Sequence, residues 1–272
     1  MPYANNHKTK IYWEEHGAGE PLLLIMGLGG SRKEWRRLLP ALSAKYRVIV
    51  FDNRGVGETV FTAEPFTIPL LAADAKAVLN QANVESAHVL GMSMGGMIAQ
   101  EFALNYPEMT RSLILTVTNC GGREAVPAEL EVYFALQGRG VATPEDAFWA
   151  MAPYIYDKQT PREKLAEDLA AREGKFTTPE NFMRQLQAIM TWQGTYQRLS
   201  NIKVPTLVIG GRNDRLIPCA NSKIIADAIP NAKLVELEDS SHIFPTDQPE
   251  KSIEVILNFL ENQLVIDLFY SK

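Results

Sequence analysis

Gly91-Met92-Ser93-Met94-Gly95 sets one serine between two glycines at the point where a strand gives way to a helix. Upstream, Ser86-Ala-His-Val-Leu-Gly91 is the short apolar run of a buried strand. Downstream, from Gly96 to Leu104, Ile98, Ala99, Phe102 and Ala103 fall three or four apart on one helical face. A reversal this sharp predicts strained backbone angles at Ser93, which crowd side chains two positions before and after it. Glycine at 91 and 95 removes that crowding and leaves the hydroxyl projecting from the tip of the turn. The plain alternative is a glycine-rich turn without chemistry, and the rest of the chain decides between the two.

A serine nucleophile needs a base, an acid to orient that base, and N–H donors for the oxyanion. Four histidines are present: His7, His16, His88 and His242. His7 lies in the polar start of the chain, His16 in the turn Glu14-Glu15-His16-Gly17, and His88 inside the strand that leads to Ser93. His242 follows the alternating strand Lys233-Leu-Val-Glu-Leu-Glu238, in the loop Asp239-Ser-Ser-His242 before a helix, and is the base candidate. The acid candidate is Asp214. Val204-Pro-Thr-Leu-Val-Ile-Gly210 reads as a buried parallel strand and opens into Gly211-Arg212-Asn213-Asp214, a carboxylate just past the carboxyl edge where open parallel sheets gather functional groups. Asp239 is the second candidate, three residues from His242. Asn119, after the strand ending near Thr118, has an amide that cannot supply the charge.

For the oxyanion the sequence shows a setting. Pro21-Leu-Leu-Leu-Ile-Met26 is a buried strand followed by Gly27-Leu28-Gly29-Gly30-Ser31, where the backbone can approach a carbonyl closely. Met94 offers a second N–H at the positive end of a helix. The same glycines admit a rival, a dinucleotide-binding βαβ unit with a strand ending in Asp52. The sixth position of that fingerprint is Arg32 rather than Gly or Ala, and the rival leaves Ser93, Asp214 and His242 without a joint explanation.

Together these residues make the chain resemble the α/β-hydrolase superfamily over nearly its whole length, and within it cofactor-free serine hydrolases related to esterases, enol-lactonases and carbon–carbon bond hydrolases. The order serine, acid, histidine is the one this family shows. The resemblance extends to Phe51-Asp52-Asn53-Arg54-Gly55-Val56-Gly57, where Asp52 and Arg54 are expected to pair structurally and shape a loop. It implies Ser93 as nucleophile, His242 as base, Asp214 as orienting acid, and the backbone N–H groups of Leu28 and Met94 as oxyanion donors, with no cofactor and no metal. Many relatives begin the oxyanion loop with His-Gly; here Met26-Gly27 stands there, which alters the polarity behind the donors.

Strands and helices alternate from about Lys10 to Thr118 and again from Val204 to Leu264, which predicts a mostly parallel sheet covered by helices on both faces. The last helix carries Ile253, Ile256, Leu257, Leu260 and Leu264 on one stripe. Between the halves no strand is convincing, while Thr143-Pro144, Thr160-Pro161 and Thr178-Pro179 each read as an N-cap followed by proline, with Glu163 completing a capping box at Thr160. The expected organisation is therefore a core over 1–120 and 197–272 with a helical cap over 121–196. The cap's large apolar residues, Phe134, Phe148, Trp149, Met151, Tyr154, Tyr156, Phe182, Met190, Trp192 and Tyr196, exceed what its own packing needs. Some are expected to line an apolar cavity over Ser93, with Met92 and Met94 adding adaptable surface.

With 27 basic and 32 acidic side chains the net charge is −5, which argues against a nucleic-acid partner, and Arg32-Lys33…Arg36-Arg37 reads as one solvated helix face. The polar N-terminus carries no apolar signal core, no run approaches membrane-spanning length, and Cys120 and Cys219 are isolated, expected to be reduced thiols in a cytoplasmic protein. The expected activity is cleavage of a small or medium-sized ester or lactone with an apolar acyl or alkyl part, through an acyl-enzyme on Ser93. Carbon–carbon hydrolysis and perhydrolysis use nearly the same constellation. A ligand receptor on this fold, with negligible turnover, is the alternative of another class.

Overall fold

A computed structural model describes residues 3–62, 66–138, 143–172 and 177–270, the side chains of 264–270 excepted. Its centre is an eight-stranded sheet: β1 (Tyr3–Asn6), β2 (Thr9–His16), β3 (Pro21–Ile25), β4 (Arg47–Phe51), β5 (Ala87–Met92), β6 (Thr110–Thr116), β7 (Thr206–Gly211) and β8 (Lys233–Leu237). The spatial order is β1-β2-β4-β3-β5-β6-β7-β8. Only the β1–β2 and β2–β4 pairings are antiparallel; the other five are parallel. β1 went unread in the sequence. It is a short polar edge strand joined to β2 through His7, whose φ is +51°. His16, expected in a turn, is the last residue of β2 and lies 3.4 Å from Glu14.

Alternation along the central strands sends side chains to two separate cores. Leu23, Ile25, Val89, Leu113, Leu115 and Val208 pack on one face beneath α2 (Ile68–Gln81), α3 (Met94–Asn105) and α8 (Ala220–Ala228). Leu22, Leu24, Leu90, Ile114, Leu207 and Ile209 pack on the other against α1 (Leu39–Ser43) and α10 (Pro249–Tyr270). Both faces being covered explains why these strands read as near-continuous apolar runs. The α10 stripe is buried at Ile256 and Leu260; the side chain of Leu264 lies outside the described residues.

Between β6 and β7 the described residues carry helices and no strand: α4 (Leu130–Gly138), α5 (Pro144–Ile155), α6 (Arg162–Arg172) and α7 (Pro179–Met190). This is the inserted helical region. Thr143 and Thr178 cap α5 and α7, accepting from the backbone N–H of Asp146 and Asn181. Thr160 behaves differently: its hydroxyl donates to Asp247 Oδ1 at 2.7 Å, outside the insertion. The last short helix, α9 (Phe244–Asp247), lies between β8 and α10.

The basic patch is not a solvated face. Arg32 is 5% exposed and ion-paired with Asp52, Glu14 and Glu58. Arg36 and Arg37 both reach Asp168 on α6, so they tie the 3-10 turn Arg32–Arg37 to the insertion. Of the four, Lys33 alone is exposed. Asp52 accepts from the Arg32 N–H at 2.9 Å, the Arg32 guanidinium at 2.6 Å and the Glu58 N–H at 3.0 Å, while Arg54 makes a bidentate buried pair with Asp74. Both shape loops, as expected of them.

Candidate active site

Ser93 stands between β5 and α3 with φ +58° and ψ −122°, a left-handed conformation that costs a non-glycine residue about 1–3 kcal/mol. The two glycines of the turn show why they are needed. A Cβ on Gly91 would come within 2.2 Å of the Gly95 carbonyl oxygen, and one on Gly95 within 1.9 Å of the Ile25 carbonyl oxygen. The strained residue is held from several sides. Its N–H donates to Thr116 at 2.9 Å, and its carbonyl accepts from Gly96 N–H at 2.8 Å and Thr118 Oγ1 at 2.7 Å. Met94 opens α3, so its N–H is among the amides a helix leaves without an internal partner. Its side chain, however, is fully buried in the core and adds nothing to the cavity surface, contrary to expectation; Met92 lines the cavity as expected, with Met26 and Met97 beside it.

Asp214 and His242 come from the loops after β7 and β8, which are parallel neighbours paired at Gly211 and Leu237. His242 Nδ1 lies 2.8 Å from Asp214 Oδ2, both residues being 5% exposed. The other carboxylate oxygen of Asp214 accepts the N–H groups of Leu216 at 2.9 Å and Ile217 at 2.8 Å, so the carboxylate cannot rotate without breaking them. Asp239 points elsewhere, accepting from Gln159 on the surface at 2.8 Å. His88 is buried in β5 with Nδ1 2.8 Å from the Ser112 hydroxyl, a packed strand residue.

Ser93 and His242 open on one cavity of about 270 Å³, which Gly27, Leu28 and Asn119 also line. Its roof comes from Leu136, Met151, Ile155, Leu186, Ile189 and Met190 of the insertion. Of the aromatics expected there, Tyr156 alone reaches the wall; Tyr133, which was not among them, reaches it too. Trp192 does not: its Nε1 donates to Glu101 at 2.8 Å and its ring covers Gly121. Trp149 stacks edge-on against Phe148 and carries Arg162 over its face. Phe148 packs within the insertion, Phe182 sits over Gly29, and Phe134 is 65% exposed.

Nor is the cavity apolar throughout. One wall holds Glu34, Arg36, Arg37, Asp168 and Arg172. Asp168 collects Arg36, Arg37, the Tyr156 hydroxyl at 3.1 Å and Thr246 Oγ1 at 2.6 Å, while Arg172 reaches Glu34 at 2.5 Å. Burial pushes the Tyr156 phenol well above its ordinary value, which keeps it a neutral donor to Asp168. Among the described residues no cluster of three or more side chains suited to a metal ion occurs, and no helix is long and apolar enough to cross a membrane. Cys120 and Cys219 are free thiols, both pushed up to about 11 by burial.

An arrangement of this kind, on this sheet order, has relatives. The α/β hydrolase fold family matches residues 20–249. The chain belongs to that family. It is 33% identical over 264 residues to RutD of Azorhizobium caulinodans, a candidate carbamate hydrolase, spanning 95% of this chain and 98% of that protein. It is 31% identical over 244 residues to the poly(3-hydroxyalkanoate) depolymerase of Ectopseudomonas oleovorans, spanning 89% and 85%. The enol-lactonase of Burkholderia xenovorans shares the fold, with a TM-score of 0.83 at 24% identity over 96% of this chain and 100% of that one. Membership removes the dinucleotide-binding rival, whose glycine loop and Asp52 are here joined through Arg32.

Proposed function

We propose that this hydrolase-family protein is a serine hydrolase that cleaves a carboxylic ester or lactone through an acyl-enzyme on Ser93. The observation that carries the reading is that His242, paired with Asp214 at 2.8 Å, opens with the strained Ser93 into one cavity. In the mechanism, Asp214 holds the proton on Nδ1 of His242, which leaves Nε2 free to accept the Ser93 proton as the hydroxyl attacks the carbonyl carbon. The tetrahedral oxyanion is stabilised by the N–H groups of Leu28 and Met94. His242 then protonates the leaving alkoxide, and water cleaves the acyl-enzyme by the same steps reversed.

The roof supports an apolar acyl or alkyl part, and the small volume supports a small or medium-sized substrate. Residues 121–196 act in this reading as the cap that shapes the pocket. Carbamate cleavage is a second reading favoured by the similarity to RutD, since a carbamate carbonyl presents the same tetrahedral chemistry. Stopped-flow hydrolysis of p-nitrophenyl esters of graded acyl length, alongside lactones and an aryl carbamate, tests both. A nitrophenolate burst followed by steady turnover is expected. Tight binding of every compound with no turnover would instead make the protein a receptor on this fold.

A further inference from the structure

Every peptide plane of the loop that would carry the Leu28 donor is held by hydrogen bonds. The Met26 carbonyl accepts from Asn53 Nδ2 at 2.9 Å, and the Gly27 carbonyl accepts from the Gly30 N–H at 3.2 Å, which fixes the plane containing the Leu28 N–H. The Ser31 N–H donates to Glu34 Oε1 at 3.0 Å. The two planes on either side of Gly29 are different, because the insertion reaches both: it supplies the partner of the plane before Gly29, and it adds a second bond to the plane after it, whose Gly30 N–H already meets Gly27. The Gly29 N–H donates to Gln185 Oε1 at 2.8 Å, and the Gly29 carbonyl accepts from Thr177 Oγ1 at 3.0 Å. Gly29 has φ +71°, and a Cβ there would lie 3.1 Å from the Phe182 ring, so α7 packs directly on this residue.

We propose that Gln185 is a positioning residue through which the cap sets the oxyanion loop. Its side chain is completely buried, and its Nε2 donates to the Arg54 carbonyl at 2.6 Å. One amide therefore joins α7, the loop after β3 and the loop after β4. Its position on α7 also matters, since Leu186 and Ile189, adjacent in sequence and one turn on, line the cavity roof. A substrate that presses on the roof thus presses on the helix that holds Gly29. By occupying the Gly29 N–H, Gln185 also removes the competing donor next to Leu28, so that a substrate oxygen has one loop N–H to meet. This proposal rests on the acyl-enzyme reading above. It goes further by making oxyanion stabilisation depend on cap docking.

The test uses the whole chain and three variants: Gln185→Met, of similar length without hydrogen bonds; Gln185→Glu, which keeps an acceptor for Gly29; and Thr177→Val, at a half-buried site, which removes the hydroxyl that meets the Gly29 carbonyl. Turnover and KM for a p-nitrophenyl ester are measured with the inhibition constant of an alkyl trifluoromethyl ketone, whose hemiketal oxyanion mimics the intermediate. Displacing a donor loop by a fraction of an ångström to 1 Å lowers rates by up to about a hundredfold. Gln185→Met is expected to lose about 30- to 100-fold in turnover with KM little changed, and to bind the ketone more weakly in the same proportion. Gln185→Glu should lose less, because a carboxyl buried there takes a proton and can still donate to the Arg54 carbonyl. Thr177→Val should lose about three- to tenfold with the same proportionality, which keeps the test decisive if Gln185→Met does not fold. A folded variant with unchanged turnover and unchanged ketone affinity would overturn the proposal. So would a loss confined to KM, since Gln185 would then only dock the cap. If the wild type shows no Ser93-dependent turnover, the acyl-enzyme reading itself fails.

Discussion

Replacing Asp214 by asparagine changes one atom, and its surroundings dictate where that atom goes. Oδ1 accepts two backbone N–H groups, from Leu216 and Ile217, at 2.9 and 2.8 Å. An asparagine that turned its amide group towards them would set donor against donor and forfeit both bonds. It must therefore keep its oxygen there and present Nδ2 to His242, where Oδ2 now lies 2.8 Å from Nδ1. A donor at that point favours the imidazole tautomer with Nδ1 bare and the proton on Nε2, which cannot accept the Ser93 proton. The charge that stabilises the imidazolium is lost as well. The same change in chymotrypsin-like proteases lowers turnover by about ten-thousandfold, or about 5.4 kcal/mol of barrier. We expect that loss in kcat for a p-nitrophenyl ester, with KM and the melting temperature little changed because the packing and both backbone bonds survive. Asp239→Asn is the internal control. Its side chain meets Gln159 at the surface, and less than about tenfold loss is expected on the general insensitivity of exposed polar sites. Full turnover in Asp214→Asn, or a larger loss in Asp239→Asn, would refute the assignment of the acid.

Gly95→Ala would drive a methyl to within 1.9 Å of the Ile25 carbonyl oxygen, so α3 and the end of β3 must part; overpacking against backbone costs about 3 kcal/mol or more, and thermal unfolding should show it together with loss of activity. Trp192→Phe removes the 2.8 Å bond to Glu101, a 3% exposed carboxylate, and should cost about 1–3 kcal/mol in urea unfolding while leaving the ranking of ester chain lengths unchanged. A reordered chain-length preference would put that ring back in the pocket. Burial pushes the Asp247 carboxyl up to about 6 from an ordinary 3.8. Its folded value exceeds the unfolded one, so its contribution to stability is full below 3.8 and is lost as pH rises through 6. Across that window Asp247→Asn should gain on the wild type by up to about 3 kcal/mol, and a pH-independent difference would contradict the burial argument.

What the sequence disclosed was local, and what it concealed was pairwise. Gly91 and Gly95 announce the elbow because nothing larger fits two residues from Ser93, a constraint written within five consecutive positions. The pairing of Asp214 with His242 was findable because each follows a strand run, and functional groups collect at that edge. Arg36 and Arg37 were misread because their partner, Asp168, lies 132 and 131 residues away, and a long-range pair leaves no mark in composition. Gln185 was missed for a related reason. A polar residue in a helical stretch reads as solvent-facing, and here it is completely buried because backbone groups of two other loops satisfy it. Trp192 and Trp149 show the limit for aromatics, whose size predicts burial but not which neighbour they cover. The strand β1 escaped because an edge strand with polar side chains lacks the alternation that marks a buried one.

The central claim is that Ser93 forms a covalent bond to the acyl carbon. Intact-mass spectrometry after incubation with a fluorophosphonate, followed by peptide mapping, tests it most directly. One adduct per chain on the peptide containing Gly91-Met92-Ser93-Met94-Gly95, and none in Ser93→Ala, is the expected result. An adduct that persists in Ser93→Ala, or that maps to another residue in the wild type, would contradict the account.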